Sequence, residues 1–429
     1  MTGKGAIAAA AAAAVLLGGA FILAGGGKRS VPPPPGPPLV EYLNESITND
    51  MSDFPELGKM DFAVDSFMQK WELKGMSVAI TRNDSLVFAK GYGYSDVGKG
   101  VRMAPGTKLR MASVSKLVTA VGIMQLQDQG RLNIQTPVFG PFGILREYDR
   151  YIRDDNYYMI TVENLLRHEA GFTTRGGDPM FSTLSMMRAM ERSTPPDQDA
   201  LTKYLVRRPL QYVPGEDKAY SNFGYLLLSM VIEKVTGLPY ENYMRDSVLA
   251  RAGVRDFRIA GNYLRDRHDG ETMYYMNRDA ELCSAFDGSG AKVEKCYGGN
   301  DITTLSGAGA WTGSTIELAR LVASIDGLPG IPDIISPESF SQMTVFIDED
   351  SYGLGWNDCK PSGELTRTGS FSGTSAVVKV FPDGECWILI TNTSSWQGSR
   401  FSRNTRALIG KLRSRFSASL PRQDLFRQQ

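Results

Sequence analysis

The sequence predicts an α+β fold: an antiparallel β-sheet flanked by helices, with a helical insertion subdomain, preceded by an N-terminal apolar segment. Two strand–turn–strand patterns far apart in the chain predict it, together with a mostly helical stretch between them. The first pattern is Met76–Arg82, a turn at Asn83-Asp84, then Ser85–Tyr92. The second is Ser375–Phe381, a turn at Asp383-Gly384, then Cys386–Thr391. Helical patterning covers Val114–Asp128, Val162–Arg167 and Asn222–Val235. A last helix, about Arg400–Phe416, carries Leu408, Ile409 and Leu412 on one side. Strands near both ends with helices between imply that the two ends meet in one sheet.

The chain divides into an apolar segment (1–29), a Pro-rich linker (30–55), one globular domain (56–415) and a C-terminal tail (416–429). With 429 residues, 42% of them hydrophobic, a large core is available. Lysine plus arginine and aspartate plus glutamate each number 47, which argues against nucleic acid as a partner. Ala6–Ala24 is an uncharged apolar run of bilayer-spanning length, at roughly 1.5 Å per helical residue. It reads as a signal peptide or a membrane anchor, and either sends the domain out of the cytoplasm. The stiff run Val31–Pro38 behind it makes better sense as a stalk, which favours the retained anchor. Cys283, Cys296, Cys359 and Cys386 permit two disulfides in an exported protein. Cys283–Cys296 with Cys359–Cys386 is the most local pairing, and free buried thiols are the alternative.

The chemistry concentrates at Met111-Ala-Ser113-Val-Ser115-Lys116 and the apolar helix that follows. Residues 117–126 are apolar on nearly every face, as in a helix inside a protein. Lysine is almost never buried without a partner, yet Lys116 opens this helix. Ser113 lies one turn earlier on the same side. A lysine driven towards neutrality beside a hydroxyl acts as its base, and the Ser113 N–H at the helix start is free for an oxyanion. The spacing alone is weak, because Ser289-Gly-Ala-Lys292 shares it in a loop-like stretch. The alternative is an N-cap serine with a lysine reaching solvent. Further on, Tyr220-Ser221-Asn222 opens a strongly apolar helix, and Arg367-Thr368-Gly369-Ser370 ends a strand before the second hairpin.

In that order the three segments resemble the Ser-x-x-Lys, Tyr-x-Asn and Lys/His-Thr-Gly signatures of penicillin-binding proteins and class C β-lactamases. The flanks Leu165–Gly171, Pro214-Gly215 and Tyr352–Trp356 are similar to the wider serine hydrolase branch, over roughly residues 56–415. The resemblance implies a β-lactamase/transpeptidase-like fold and an acyl-enzyme on Ser113, with Lys116 as proton acceptor. It implies Tyr220 as proton shuttle to the leaving group and Asn222 as holder of the substrate amide. Arg367, Thr368 and Gly369 would bind substrate, and the N–H groups of Ser113 and Ser370 would form the oxyanion hole. The partner would be a small peptide, amide or ester, with the bacterial inner membrane as a second partner through residues 6–24 if they are uncleaved. β-Lactam hydrolysis is one alternative activity, and a non-catalytic ligand binder is the other. One departure stands out: Arg367 replaces the usual lysine or histidine, so no proton can be relayed there. It is read as a carboxylate receptor or a structural cation. Only two histidines exist; His168 reads as a structural helix-end residue and His268 as solvent-facing, which leaves neither a Ser-His-Asp triad nor a metal site. No cofactor is expected. The polar stretch 262–300 reads as a surface loop rather than a lid.

Overall fold

Asn83 and Asp84 adopt left-handed backbone angles, φ 48° and 66°, and so turn β1 (Gly75–Arg82) back into β2 (Ser85–Asp96). This two-residue geometry matches the twist of paired strands. The short strand β3 (Val101–Arg102) follows at one edge of the sheet. Far along the chain come β4 (Asp358–Cys359), β5 (Leu365–Phe371), β6 (Thr374–Val380) and β7 (Glu385–Thr391). The order across the sheet is β3-β2-β1-β7-β6-β5-β4, with every pairing antiparallel. β1 therefore joins both hairpins, running from Met76 opposite Thr391 to Arg82 opposite Glu385.

The computed structural model describes residues 43–173, 177–277 and 282–427. All fall within 36–429, the second of two units of the chain. The apolar run Ala6–Ala24 and the proline stalk lie outside the described residues, among which no helix is long and apolar enough to cross a membrane.

The helices that matter for the site are α1 (Gly58–Trp71), α2 (Ser115–Asp128), α3 (Asn222–Thr236), α4 (Thr315–Val322) and α5 (Ser402–Phe416). Strand side chains alternate between the two faces of the sheet. Val78, Ile80, Val377 and Leu389 pack with Met60 and Val64 of α1 and with Leu408, Ile409 and Leu412 of α5. Ala79, Ala376, Val378, Ile388 and Ile390 face the larger core, which holds α2, α3 and α4. Residues 115–126 of α2 are all buried, as an apolar circumference requires. A small sheet of Leu109–Arg110, Trp311–Gly313 and Arg258–Ile259 stands beside it, and its first strand runs straight into the turn that carries Ser113.

Several boundaries differ from those expected. Residues 43–55 are folded onto the domain rather than forming linker: Leu43 and Ile47 are buried, and Asn49 bonds the Met103 carbonyl and the Gly91 N–H. Residues 417–427 are no loose tail, because Leu425 and Phe426 are buried and the Leu425 N–H bonds the Leu86 carbonyl. The stretch 262–300 is anchored, not free. Its Tyr275 exchanges backbone bonds with Asn392 and Ser394 at the end of β7, and Tyr274, Cys296 and Tyr297 form a small buried cluster. Arg110, three residues before Ser113, donates to the Cys296 and Gly261 carbonyls and holds this stretch in place. All four cysteines are free thiols. Cys359 on β4 and Cys386 on β7 stand three strand spacings apart, about 14 Å. A disulfide needs its Cα atoms within about 7 Å.

Candidate active site

Ala112 is the strained residue that aims Ser113. Its φ of 49° is left-handed, a conformation alanine rarely adopts, and it turns the chain from the small strand into the 3₁₀ turn Ala112–Val114. The Ser113 N–H precedes the first hydrogen bond of that turn, which runs from the Val114 N–H to the Met111 carbonyl. It is therefore unused by the helix.

Lys116, on the first turn of α2, is completely buried. Its Nζ lies 3.3 Å from Ser113 Oγ and donates to Asn222 Oδ1 at 2.6 Å and to the Ala308 carbonyl. Burial pushes its pKa down to about 8, aided by the Arg367 charge and opposed by Tyr220. At about 1.4 kcal/mol per pH unit, that is roughly 3 kcal/mol against its charged form. Once neutral, the amine keeps two hydrogens for the two strong acceptors and turns its lone pair to Ser113. The arrangement suits a base.

Ser221, not Asn222, caps α3: its Oγ accepts the Gly224 N–H. Asn222 is thereby free to carry its amide into the site. The Tyr220 ring lies 4.4 Å from the His168 ring, centroid to centroid, and 4.8 Å from Lys116 Nζ. Burial raises the Tyr220 phenol, but the Lys116 and Arg367 charges outweigh it and bring its pKa down to about 8. His168 has a left-handed φ of 63°, and its Nδ1 accepts the Ser221 N–H at 3.2 Å. Burial, then Lys116 and Arg367, hold it neutral well below the usual histidine range. It is more than a helix-end residue, because it fixes both the backbone after Tyr220 and the Tyr220 ring.

Arg367 is not solvent-exposed as a carboxylate receptor at the cleft mouth would be. Its side chain is fully buried; Nε donates to the carbonyl of Ser113 at 2.8 Å and Nη2 to Tyr220 Oη at 3.3 Å. The third nitrogen, Nη1, has no partner among the described residues. The guanidinium braces the Ser113 turn, and its planar fork serves two acceptors at once. Thr368 is also engaged, its N–H and Oγ1 donating to Asn357 Oδ1 at 2.6 and 3.1 Å.

Gly369 has a steric reason. A Cβ there would lie 2.3 Å from the Met111 carbonyl oxygen and 2.9 Å from the Ser113 nitrogen. Only glycine lets β5 close onto the Ser113 turn. The Thr368 N–H points away from β6, towards Asn357, so the Ser370 N–H two residues on points the same way. Gly369, between them, brings this strand against the Ser113 turn.

The structure thus gathers Ser113, Lys116, Tyr220, Asn222, Arg367, Thr368, Gly369 and Ser370 in one place. It leaves the second Ser-x-x-Lys match outside: Lys292 is exposed in a short strand. Among the described residues no group of His, Cys, Asp or Glu could hold a metal ion. Sequence reasoning missed Asp178, whose Oδ2 accepts from Asn222 Nδ2 at 2.6 Å. It reads as an ordinary turn residue before Pro179, and only the tertiary contact singles it out.

The Beta-lactamase family model matches residues 60–411. Protein flp of Staphylococcus aureus (strain MRSA252) is 28% identical over 223 residues, 52% of this chain and 41% of its own length. The chain therefore spans about two-fifths of that relative. Esterase EstB of Burkholderia gladioli is 23% identical over 310 residues, covering 70% of this chain and 77% of its own. A solved β-lactamase/D-alanine carboxypeptidase from Pseudomonas syringae superposes with a TM-score of 0.63 at 18% identity, covering 84% and 99% of the two chains; at that identity it bears on the fold alone. The family match spans nearly all of the folded domain, and the chain belongs to the Beta-lactamase family of hydrolases.

Proposed function

We propose that this chain is an extracytoplasmic serine hydrolase that works through an acyl-enzyme on Ser113, on a small peptide, amide or ester. The contact that carries this reading is the buried Lys116 Nζ at 3.3 Å from Ser113 Oγ, with its pKa near 8. Neutral Lys116 takes the hydroxyl proton as Oγ forms its bond to the substrate carbonyl carbon. The N–H groups of Ser113 and Ser370 hold the oxyanion. The intermediate collapses as Tyr220 gives a proton to the leaving group, which departs with the electrons of its bond to carbon. Lys116 returns its proton to the Tyr220 phenolate and is neutral again. Water then gives Lys116 a proton as it bonds to the acyl carbon. Lys116 passes that proton to Ser113 Oγ as the acyl bond breaks, releasing the acid and free Ser113. Esterase EstB is named for ester substrates, in keeping with this range. The burial of Arg367 favours esters and uncharged amides over peptides that end in a carboxylate.

A biotinylated fluorophosphonate that cannot cross membranes tests the nucleophile and the location together. It should label Ser113 on intact cells, and not Ser113→Ala. Labelling only after lysis would remove the extracytoplasmic placement and the anchor at residues 6–24. No labelling of folded protein would remove the serine mechanism.

The pH profile carries a sign. Lys116 must be unprotonated, so kcat/KM should fall about tenfold per pH unit below about 8. Arg367 lowers both Lys116 and Tyr220, so Arg367→Gln should move this acid limb upward by roughly one pH unit or more. An unmoved limb would mean that the guanidinium only braces the turn.

A further inference from the structure

The last helix carries its charge unevenly. Residues 400–416 hold six basic side chains, Arg400, Arg403, Arg406, Lys411, Arg413 and Arg415, and no acidic one, in a chain whose formal net charge is zero. Leu408, Ile409 and Leu412 of α5 pack onto the sheet, which leaves the cations on the outer side. Arg413 pairs with Asp383 and, at 3.0 Å, with Glu385. The other five form no ion pair among the described residues, and Arg400, Arg403, Lys411 and Arg415 are exposed. Ala407, Gly410 and Ser414, also exposed, stand between them. Such small side chains leave a flat stripe of uncompensated charge, roughly 18 Å long from Arg403 to Arg415 at about 1.5 Å per residue.

An aromatic side chain stands at the head of this stripe. Trp396 is 70% exposed. Its ring lies 6.0 Å from that of Trp71, which meets the Phe401 ring edge-on at 5.2 Å, so the fold itself holds the indole outward. Trp396, Arg400 and Arg403 line one open hollow. A tryptophan beside unpaired arginines suits the headgroup layer of a bilayer, where the indole enters the apolar boundary and the cations meet phosphate. The stripe repeats one sign of charge and has little relief. That fits a fluid layer of headgroups better than a folded partner with fixed contours.

We propose that the outer face of α5, together with Trp396, rests on a bilayer surface rich in anionic phospholipid. Each cation close to such a surface strengthens binding about fivefold, so the four exposed ones supply on the order of 10²- to 10³-fold together. Salt screens this attraction. The assignment stands apart from the hydrolase reading, which concerns the cleft. It also stands apart from the run Ala6–Ala24, which as an anchor would attach the chain whatever the lipid charge.

The test uses the full chain with vesicles of phosphatidylcholine, or of phosphatidylcholine mixed with phosphatidylglycerol, both carrying brominated acyl chains. Because residues 6–24 could attach the chain to either, the readout is local. It is the fluorescence quenching at Trp396, taken as the difference between wild type and Trp396→Phe. This quenching should be at least about threefold stronger on the mixed vesicles, and the excess should vanish in molar salt. It should vanish equally in the triple variant Arg403→Glu, Lys411→Glu, Arg415→Glu, whose melting temperature and Ser113 labelling should match wild type. The milder pair Arg403→Gln, Lys411→Gln should remove part of it. Equal quenching on both vesicle types, an excess that survives charge reversal, or no quenching on the mixed vesicles overturns the assignment. Heparin shielding Trp396 from acrylamide while vesicles leave it unquenched would make the stripe a site for soluble polyanions, and overturns it too. Failure of wild-type Ser113 to take a fluorophosphonate strikes the hydrolase reading and leaves this one standing.

Discussion

Lys116→Met should lower kcat/KM by about 10²- to 10⁴-fold, the usual worth of a positioned general base. Methionine matches the length of the buried stem but offers no lone pair to Ser113. Two stability effects oppose each other in this variant. The buried cation's desolvation cost disappears, while Asn222 Oδ1 and the Ala308 carbonyl lose a donor at about 1–3 kcal/mol each. The melting temperature should stay within several degrees of wild type, so lost activity would not reflect lost fold. Calorimetry beside steady-state kinetics separates the two. A variant keeping more than a tenth of wild-type kcat/KM would show that Lys116 is not the base.

Gly369→Ala should be nearly as damaging, by a different route. The new Cβ must move away from the Met111 carbonyl, 2.3 Å distant, and both atoms belong to backbone that cannot rotate aside. Either β5 retreats or the Ser113 turn does. In both cases the spacing between the Ser113 and Ser370 N–H groups proposed for the oxyanion changes, and misplacing one such donor costs about 10²- to 10³-fold in kcat. The strain should also reduce stability by about 1–3 kcal/mol. KM should change little, because the loss falls on the transition state. Near-wild-type kcat in this variant would remove the two-amide oxyanion hole from the mechanism.

The two variants touch parts of the site that were unequally legible. Lys116 stood out in the sequence because a charge opening an apolar helix has few structural uses. Gly369 was legible only as part of a tripeptide; its reason is a close approach between two backbones more than two hundred residues apart in the chain, Met111 and Gly369. Arg367 shows the limit most clearly. Its permanent charge followed from residue type, but its partners did not, and the side chain is buried against the Ser113 carbonyl and the Tyr220 hydroxyl. Asn222 was open to reading as a helix cap until Ser221 proved to fill that place.

By itself the sequence determined the hairpin turns, the buried α2, the union of both chain ends in one sheet and the pairing of Ser113 with Lys116. These follow from local geometry: turn residues that accept left-handed angles, side-chain periodicity, and one turn of helix between Ser113 and Lys116. The tertiary structure alone decided that Arg367 braces Ser113 and Tyr220, that His168 sets Tyr220, that Asp178 holds Asn222, and that residues 43–55 and 417–427 belong to the fold. Each of these depends on contacts between segments distant in the chain, where direction and burial are fixed by packing, and residue type does not encode them.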